Sequence, residues 1–138
     1  MARPHIVAIT RRFVIQRAEQ RCEYCLLPAE WVSISHHIDH IIPLKHGGVT
    51  HVDNLAYACF DCNIAKGSDI ATFDPLTREM SRLFHPRTDN WLAHFSLDNN
   101  RIIGLDVVGR ATSQLLQFNE PSRVYQRKLL IAANVYGL

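Results

Sequence analysis

Between Thr10 and Gln20 the residues Phe13, Val14 and Ala18 give the chain one apolar side at helical spacing, and Thr10 stands where an N-cap belongs. A short helix is predicted there, delivering the chain to Cys22. From Glu30 to Ile42 β-branched and aromatic residues dominate, which predicts an extended segment. Val32, Ile34, His36, Ile38 and His40 share one parity; Trp31, Ser33, Ser35, His37 and Asp39 share the other. Pro43 breaks the ladder and Gly47-Gly48 supplies a turn. Leu55 to Cys59 reads as a second short strand, and Asp61 to Lys66 as a short helix that Gly67 can end. The local order is strand, loop, strand, helix.

The second half is less distinctive. Trp91–Leu97 and Arg101–Leu105 read as a hairpin about Asp98-Asn99-Asn100. Ala111–Phe118 and Arg123–Val135 read as helices, separated by Asn119-Glu120-Pro121-Ser122, with Ser122 as a candidate cap. The apolar residues here imply a packed extension. The expected class is α+β, with residues 1–69 as one core and residues 70–138 as an extension of hairpin and two helices.

A chain of 138 residues, 47% hydrophobic and 20% charged, fits an ordinary globular domain. No apolar run is long enough to span a bilayer, and Met1-Ala2-Arg3-Pro4 does not open a leader pattern. The expected setting is cytoplasmic, with no membrane partner. The net charge of +2 does not by itself announce nucleic-acid binding. Its distribution says more. Arg3, Arg11, Arg12, Arg17 and Arg21 crowd the region before Cys22, where Glu19 is the lone acid, and Arg123, Arg127 and Lys128 form a second group. Each group is either a solvated helix face or a surface for phosphates.

The chemistry lies in two CxxC pairs, Cys22/Cys25 and Cys59/Cys62. In a reducing compartment such pairs bind metal more often than they form disulfides. Zinc is the first expectation; disulfides or an iron–sulfur cluster are the alternatives. Four thiolates close a tetrahedral shell and leave no position for substrate, so the site should be structural. The insert between the pairs is longer than in a plain zinc ribbon, and it holds the remaining candidate residues.

Cys22-Glu23-Tyr24-Cys25, Ile38-Asp39-His40-Ile41-Ile42-Pro43, Gly47-Gly48, Asp53-Asn54-Leu55 and Cys59-x-x-Cys62-Asn63-x-x-Lys66-Gly67 occur in this order. Together they resemble the HNH endonuclease family, whose catalytic unit is the ββα-metal, or His-Me finger, fold. The resemblance covers roughly residues 17–68. It implies a phosphodiester hydrolase acting on DNA. His40 would activate water, and Asp39 and Asn63 would bind a catalytic Mg²⁺ or Mn²⁺. Asn54 would bond backbone and hold the loop that orients His40. Many relatives carry His at the position of Asn63, so the chain is similar to an HNN variant. The resemblance also implies a one-metal mechanism leaving 5′-phosphate and 3′-hydroxyl ends. Leu83–Thr88 and Gly109–Thr112 look like segments of small stand-alone bacterial HNH proteins.

Adjacent strand residues face opposite sides, yet Asp39 and His40 must serve one phosphate. Either the strand bulges near Pro43 or the chemistry sits at the strand's edge. His37 shares a parity with Asp39 and is a candidate ligand or a supporting residue. His36 reads as structural, and His46 as a loop residue or phosphate contact. Lys66, one turn after Asn63, is a candidate DNA contact, as are Arg11, Arg12, Arg17 and Arg127. Trp31 and Trp91 read as core or rim aromatics. Two rival readings remain: a zinc-stapled nucleic-acid-binding module without catalysis, and an adaptor working through its C-terminal half. DNA, expected double-stranded, is the partner of the first choice. A cut through both strands would need a homodimer or two successive nicks.

Overall fold

The structure, a computed structural model, describes residues 5–137. Arg3, the Met1–Pro4 start and Leu138 lie outside the described residues. Helix α1 spans Ala8–Arg17, two residues earlier than the pattern suggests. Thr10 lies inside it; Val7 occupies the cap position and makes no side-chain capping bond. Val14 and Ala18 are buried, whereas Phe13 is exposed beneath the Arg17 guanidinium, 5.1 Å from its ring centre. The helix packs on the segment Leu55–Ala58, and Arg17 Nη2 donates to the Leu55 carbonyl at 2.8 Å.

The extended run expected over residues 30–42 shrinks to strand β1, His37–His40; Ala29–Trp31 forms a 3₁₀ turn instead. Only four residues find a partner strand, so β propensity upstream has no ladder to satisfy. Strand β2, Leu55–Ala58, pairs antiparallel with β1 in the register His37↔Ala58 to His40↔Leu55. The pairing is unbroken, so no bulge separates Asp39 from His40. Helix α2, Phe60–Lys66, completes a ββα unit and packs on β1. His37 and Asp39 share a face with Ala58 and Ala56, whose small, fully buried side chains let the helix approach.

The loop between the strands is cinched by a close approach. A Cβ on Gly48 would lie 1.7 Å from the Ile42 carbonyl oxygen, so only glycine fits.

After α2 comes a hairpin that the hydrophobic pattern does not announce, β3 (Ala71–Phe73) with β4 (Met80–Arg82). Trp91–His94 is a single helical turn, α3, rather than the start of a strand; Asn90 caps it by accepting from Leu92 N. The second hairpin pairs β5 (Phe95–Asp98) with β6 (Arg101–Gly104). Asn99 and Asn100 turn it with φ of 51° and 68°, as a tight two-residue hairpin requires. Helix α4, Val107–Leu115, is capped by Asp106, and α5 runs Pro121–Ala132 with Pro at its first turn. Ser122 is inside α5 and bonds Glu120 instead of capping.

The Gly109–Thr112 segment joins these pieces. A Cβ on Gly109 would meet the His94 carbonyl at 2.1 Å. Arg110 grips buried Asp74 through Nε at 3.0 Å and Nη2 at 2.8 Å, and Thr112 Oγ1 accepts from Phe84 N at 2.8 Å. One apolar core draws on both halves: the four cysteines, Tyr24, Ala56 and Ala58 together with Leu83, Phe84, Trp91, Phe95, Leu116 and Phe118. No helix among the described residues is long and apolar enough to cross a membrane.

The Arg110 guanidinium, then Thr77 and the amides of Leu76 and Thr77, hold the Asp74 carboxyl well below the usual carboxylate range against the cost of its burial. A depressed folded pKa stabilises above the unfolded value of 3.8 and is lost as pH falls. Asp74→Asn should therefore lower the melting temperature at pH 7. The gap to the wild type should close as pH is taken below about 4, which thermal melts on both proteins will show.

Candidate functional site

Two knuckles of the same form bring the cysteines together. In each, the amide of the second cysteine donates to the sulfur of the first at 3.4 Å: Cys25 N to Cys22 Sγ, and Cys62 N to Cys59 Sγ. The second knuckle also opens α2, so Cys59 Sγ serves as its N-cap. All four Sγ atoms lie within 4.8 Å of one another and all four residues are buried. Cys25 and Cys59 are 3.6 Å apart, far beyond the about 2.05 Å of a sulfur–sulfur bond, and all four thiols are free, which removes the disulfide alternative. Burial pushes the Cys22 and Cys62 thiols up, so an anionic cluster here calls for a cation in its midst. The donor set suits a structural metal such as zinc.

The first knuckle reaches directly to the ββα unit. Tyr24, buried between Cys22 and Cys25, donates its hydroxyl to Asp39 Oδ2 at 2.8 Å. Lys66 Nζ approaches the same carboxylate at 3.1 Å and donates to the His40 carbonyl at 3.2 Å. Burial raises the Asp39 carboxyl from its ordinary value; Lys66 and the Tyr24 hydroxyl pull it back toward ionisation. A carboxylate offers about four acceptor positions, so these two partners do not exhaust it.

An open cleft of about 740 Å³ lies beside β1. His37, Ile38, Asp39 and His40 line it in succession, with Asn63, Ile64, Gly67 and Ser68 of the α2 side opposite, and Arg11 and Lys45 at its margins. Residues of opposite parity therefore meet in one cleft. His40 Nε2 lies 2.8 Å from Thr50 Oγ1, which sets the ring. Asn54 is nearly buried; its Oδ1 accepts from Ile42 N, and its Nδ2 donates to the Ile42 and Val49 carbonyls, each at 2.9 Å. It closes the loop that begins two residues after His40.

Half-buried His37 lies beside the Phe60 ring. Buried His36 bonds the Leu27 carbonyl at 2.9 Å, away from the cleft, and His46 Nε2 sits 3.0 Å from the Ser68 carbonyl. Arg11 and Arg12 are exposed.

Two of the basic candidates, Lys66 and Arg127, are corrected. Lys66 is 2% exposed and its ammonium is committed to Asp39, because a desolvated carboxylate needs a counter-charge. Arg127 is 3% exposed; it donates to the carbonyls of Asn100 and Phe118 and to the Tyr136 hydroxyl, so it ties helix to hairpin and offers nothing to DNA. Arg17 is half-buried and fastens α1 to β2. Helical spacing alone cannot tell a solvated arginine from one that satisfies buried carbonyls. The contacts of Tyr24 with Asp39 and of Thr50 with His40 went unremarked in the sequence. Tyr24 could have been found as the aromatic inside the first knuckle; Thr50 carried no signal.

Lys66→Met leaves Asp39 buried without its cation and should cost about 3 kcal/mol in denaturant unfolding. Asp39→Asn combined with Lys66→Met should cost less than Lys66→Met alone, because the uncompensated charge is gone.

No curated protein matches the chain. Residues 22–69 match the model of the HNH endonuclease family, nucleases that act on nucleic acids with divalent metals. The matched stretch begins at Cys22 and ends just past the ββα unit, taking in both knuckles and the cleft-lining residues from His37 to Ser68. Residues 22–69 are thus similar to the HNH endonuclease family, and their ββα unit and four-cysteine cluster are consistent with that family's ββα-metal fold.

Proposed function

We propose that the chain is a metal-dependent endonuclease that hydrolyses DNA phosphodiester bonds in the cleft along β1. The observation that carries this reading is the meeting of His40, Asp39 and Asn63 in one open cleft within the family-matched segment. A cytoplasmic setting, where thiols stay reduced, suits the free cysteines. The four-cysteine centre holds zinc and has a structural role, since four thiolates leave no position for substrate.

His40 takes a proton from the attacking water, a task for which an imidazole is suited near neutral pH. Thr50 fixes the ring's orientation for that transfer. Asn54 keeps the following loop closed, so that the strand end carrying His40 does not wander. Asp39 and Asn63, with His37 as a candidate third donor, would hold a divalent ion; hard oxygen donors favour Mg²⁺ or Mn²⁺. When bound, that ion supplies charge neutralisation at the phosphate and stabilisation of the departing 3′ oxygen. Tyr24 and Lys66 keep the Asp39 carboxylate ionised and aimed. Arg11 and Arg12, both exposed, contact phosphates of a duplex and carry no sequence information. One such cleft per chain cuts one strand, so a double-strand break requires a homodimer or two successive nicks.

Supercoiled plasmid incubated with the protein in Mg²⁺, Mn²⁺ or EDTA tests the reading. Nicking should require the divalent ion and fall by at least about 100-fold in His40→Ala, with DNA binding retained. Equal and negligible cleavage by both folded proteins would favour a binding module without catalysis.

A further inference from the structure

Arg123 lies 61 residues beyond Cys62 in sequence, yet its guanidinium reaches the sulfur cluster. Nη2 is 3.0 Å from Cys62 Sγ and 3.8 Å from Cys59 Sγ. Nη1 donates to the carbonyls of Leu116, at 2.6 Å, and Gln117, at 2.9 Å, where α4 ends. The side chain is 7% exposed and lies over the Phe118 ring. The Asp61 carboxylate is 3.9 Å from Nε and half-exposed, so it does not divert the charge.

The electrostatic need is plain. Four thiolates outweigh a divalent ion by two negative charges, and these four belong to the same apolar cluster as Phe95, Leu116 and Phe118. A net anion in such surroundings is costly unless a counter-charge is buried with it. The fork of Arg123 supplies that charge and bonds sulfur with one arm while the other anchors it to a helix end.

Resting on the reading of the cluster as a zinc centre, we propose that Arg123 is an outer-sphere hydrogen-bond partner of the Cys59 and Cys62 thiolates and sets how tightly the centre keeps its ion. By withdrawing electron density from sulfur, it also makes these thiolates poorer targets for electrophiles. The C-terminal extension is thereby part of the metal site, although it contributes no ligand.

The test uses the full chain loaded with Co²⁺ or Zn²⁺. In Arg123→Gln the sulfur-to-cobalt charge-transfer band should move to longer wavelength, because an unbonded thiolate gives up electrons more easily. Zinc release to pyridylazoresorcinol should quicken by about 10-fold or more. Arg123→Lys should recover part of the difference. Arg127→Met, which also loses bonds to two carbonyls but touches no sulfur, should leave the band in place. An unmoved band and unchanged release in Arg123→Gln would overturn the proposal. Should that variant not fold, wild-type protein carrying the NMR-active cadmium isotope decides: scalar coupling from cadmium to the Arg123 guanidinium protons supports the bond, and its absence overturns it. Failure of the wild type to bind cobalt would remove the zinc reading itself, and is seen before any substitution is made.

Discussion

Four cysteine sulfurs packed into the hydrophobic core are the constraint on which this molecule is built. The two knuckles and the residues between their cysteines bind distant parts of the chain. Glu23 receives Arg87 and the Tyr57 amide; the Tyr24 carbonyl accepts from Trp91 Nε1 at 2.8 Å; the Cys25 carbonyl accepts from the Tyr136 hydroxyl. Arg123 then closes on the sulfurs from α5. A metal held by these four buried sulfurs would add its binding energy to the apolar core in which they sit. Residues beyond the family-matched segment are consequently tied to it through the knuckles as well as through apolar packing.

The same knuckle governs the cleft. Tyr24 spans the distance from the cysteines to Asp39, so the strand that carries Asp39 and His40 is referenced to the metal centre through one phenol. Asp39 is set in a place where ionisation is costly, and Lys66 offsets that cost from the last turn of α2. The helix that begins at a cysteine knuckle thus ends by supporting the carboxylate. Cysteine cluster, helix and candidate catalytic strand form one mechanically continuous unit, in which Asn54 secures the remaining loop.

The ββα unit was legible in the sequence because its signals are local: spaced cysteines, an Asp-His pair, a glycine turn and an asparagine to which the resemblance to HNH nucleases assigns the bonding of backbone. The strand geometry also posed a real choice between a bulge and an edge; the unbroken pairing shows no bulge at Asp39 and His40, and residues of both parities line one cleft. What could not be read was the fate of the charges. Lys66, Arg123 and Arg127 stand at positions that helical spacing assigns to solvent, yet each is buried, because distant segments bring a carboxylate, two thiols or a set of carbonyls to it. The β3–β4 hairpin was missed for a related reason: its strands are three residues each and depend on Asp74 and Arg110, which are 36 residues apart. Two expected caps failed, since Thr10 and Ser122 both lie inside helices whose N-cap residues, Val7 and Glu120, make no side-chain capping bond.

In the proposed function a single cleft holds the reacting metal between Asp39 and Asn63 while the cysteines hold a different one. Anomalous diffraction from crystals grown with Mn²⁺ and a DNA duplex, measured at the zinc and manganese edges, addresses it directly. The account predicts a zinc peak enclosed by Cys22, Cys25, Cys59 and Cys62, and a manganese peak touching Asp39 and Asn63 on the His40 side of β1. Manganese bound elsewhere, with Asp39 engaged by Tyr24 and Lys66 alone, would contradict it.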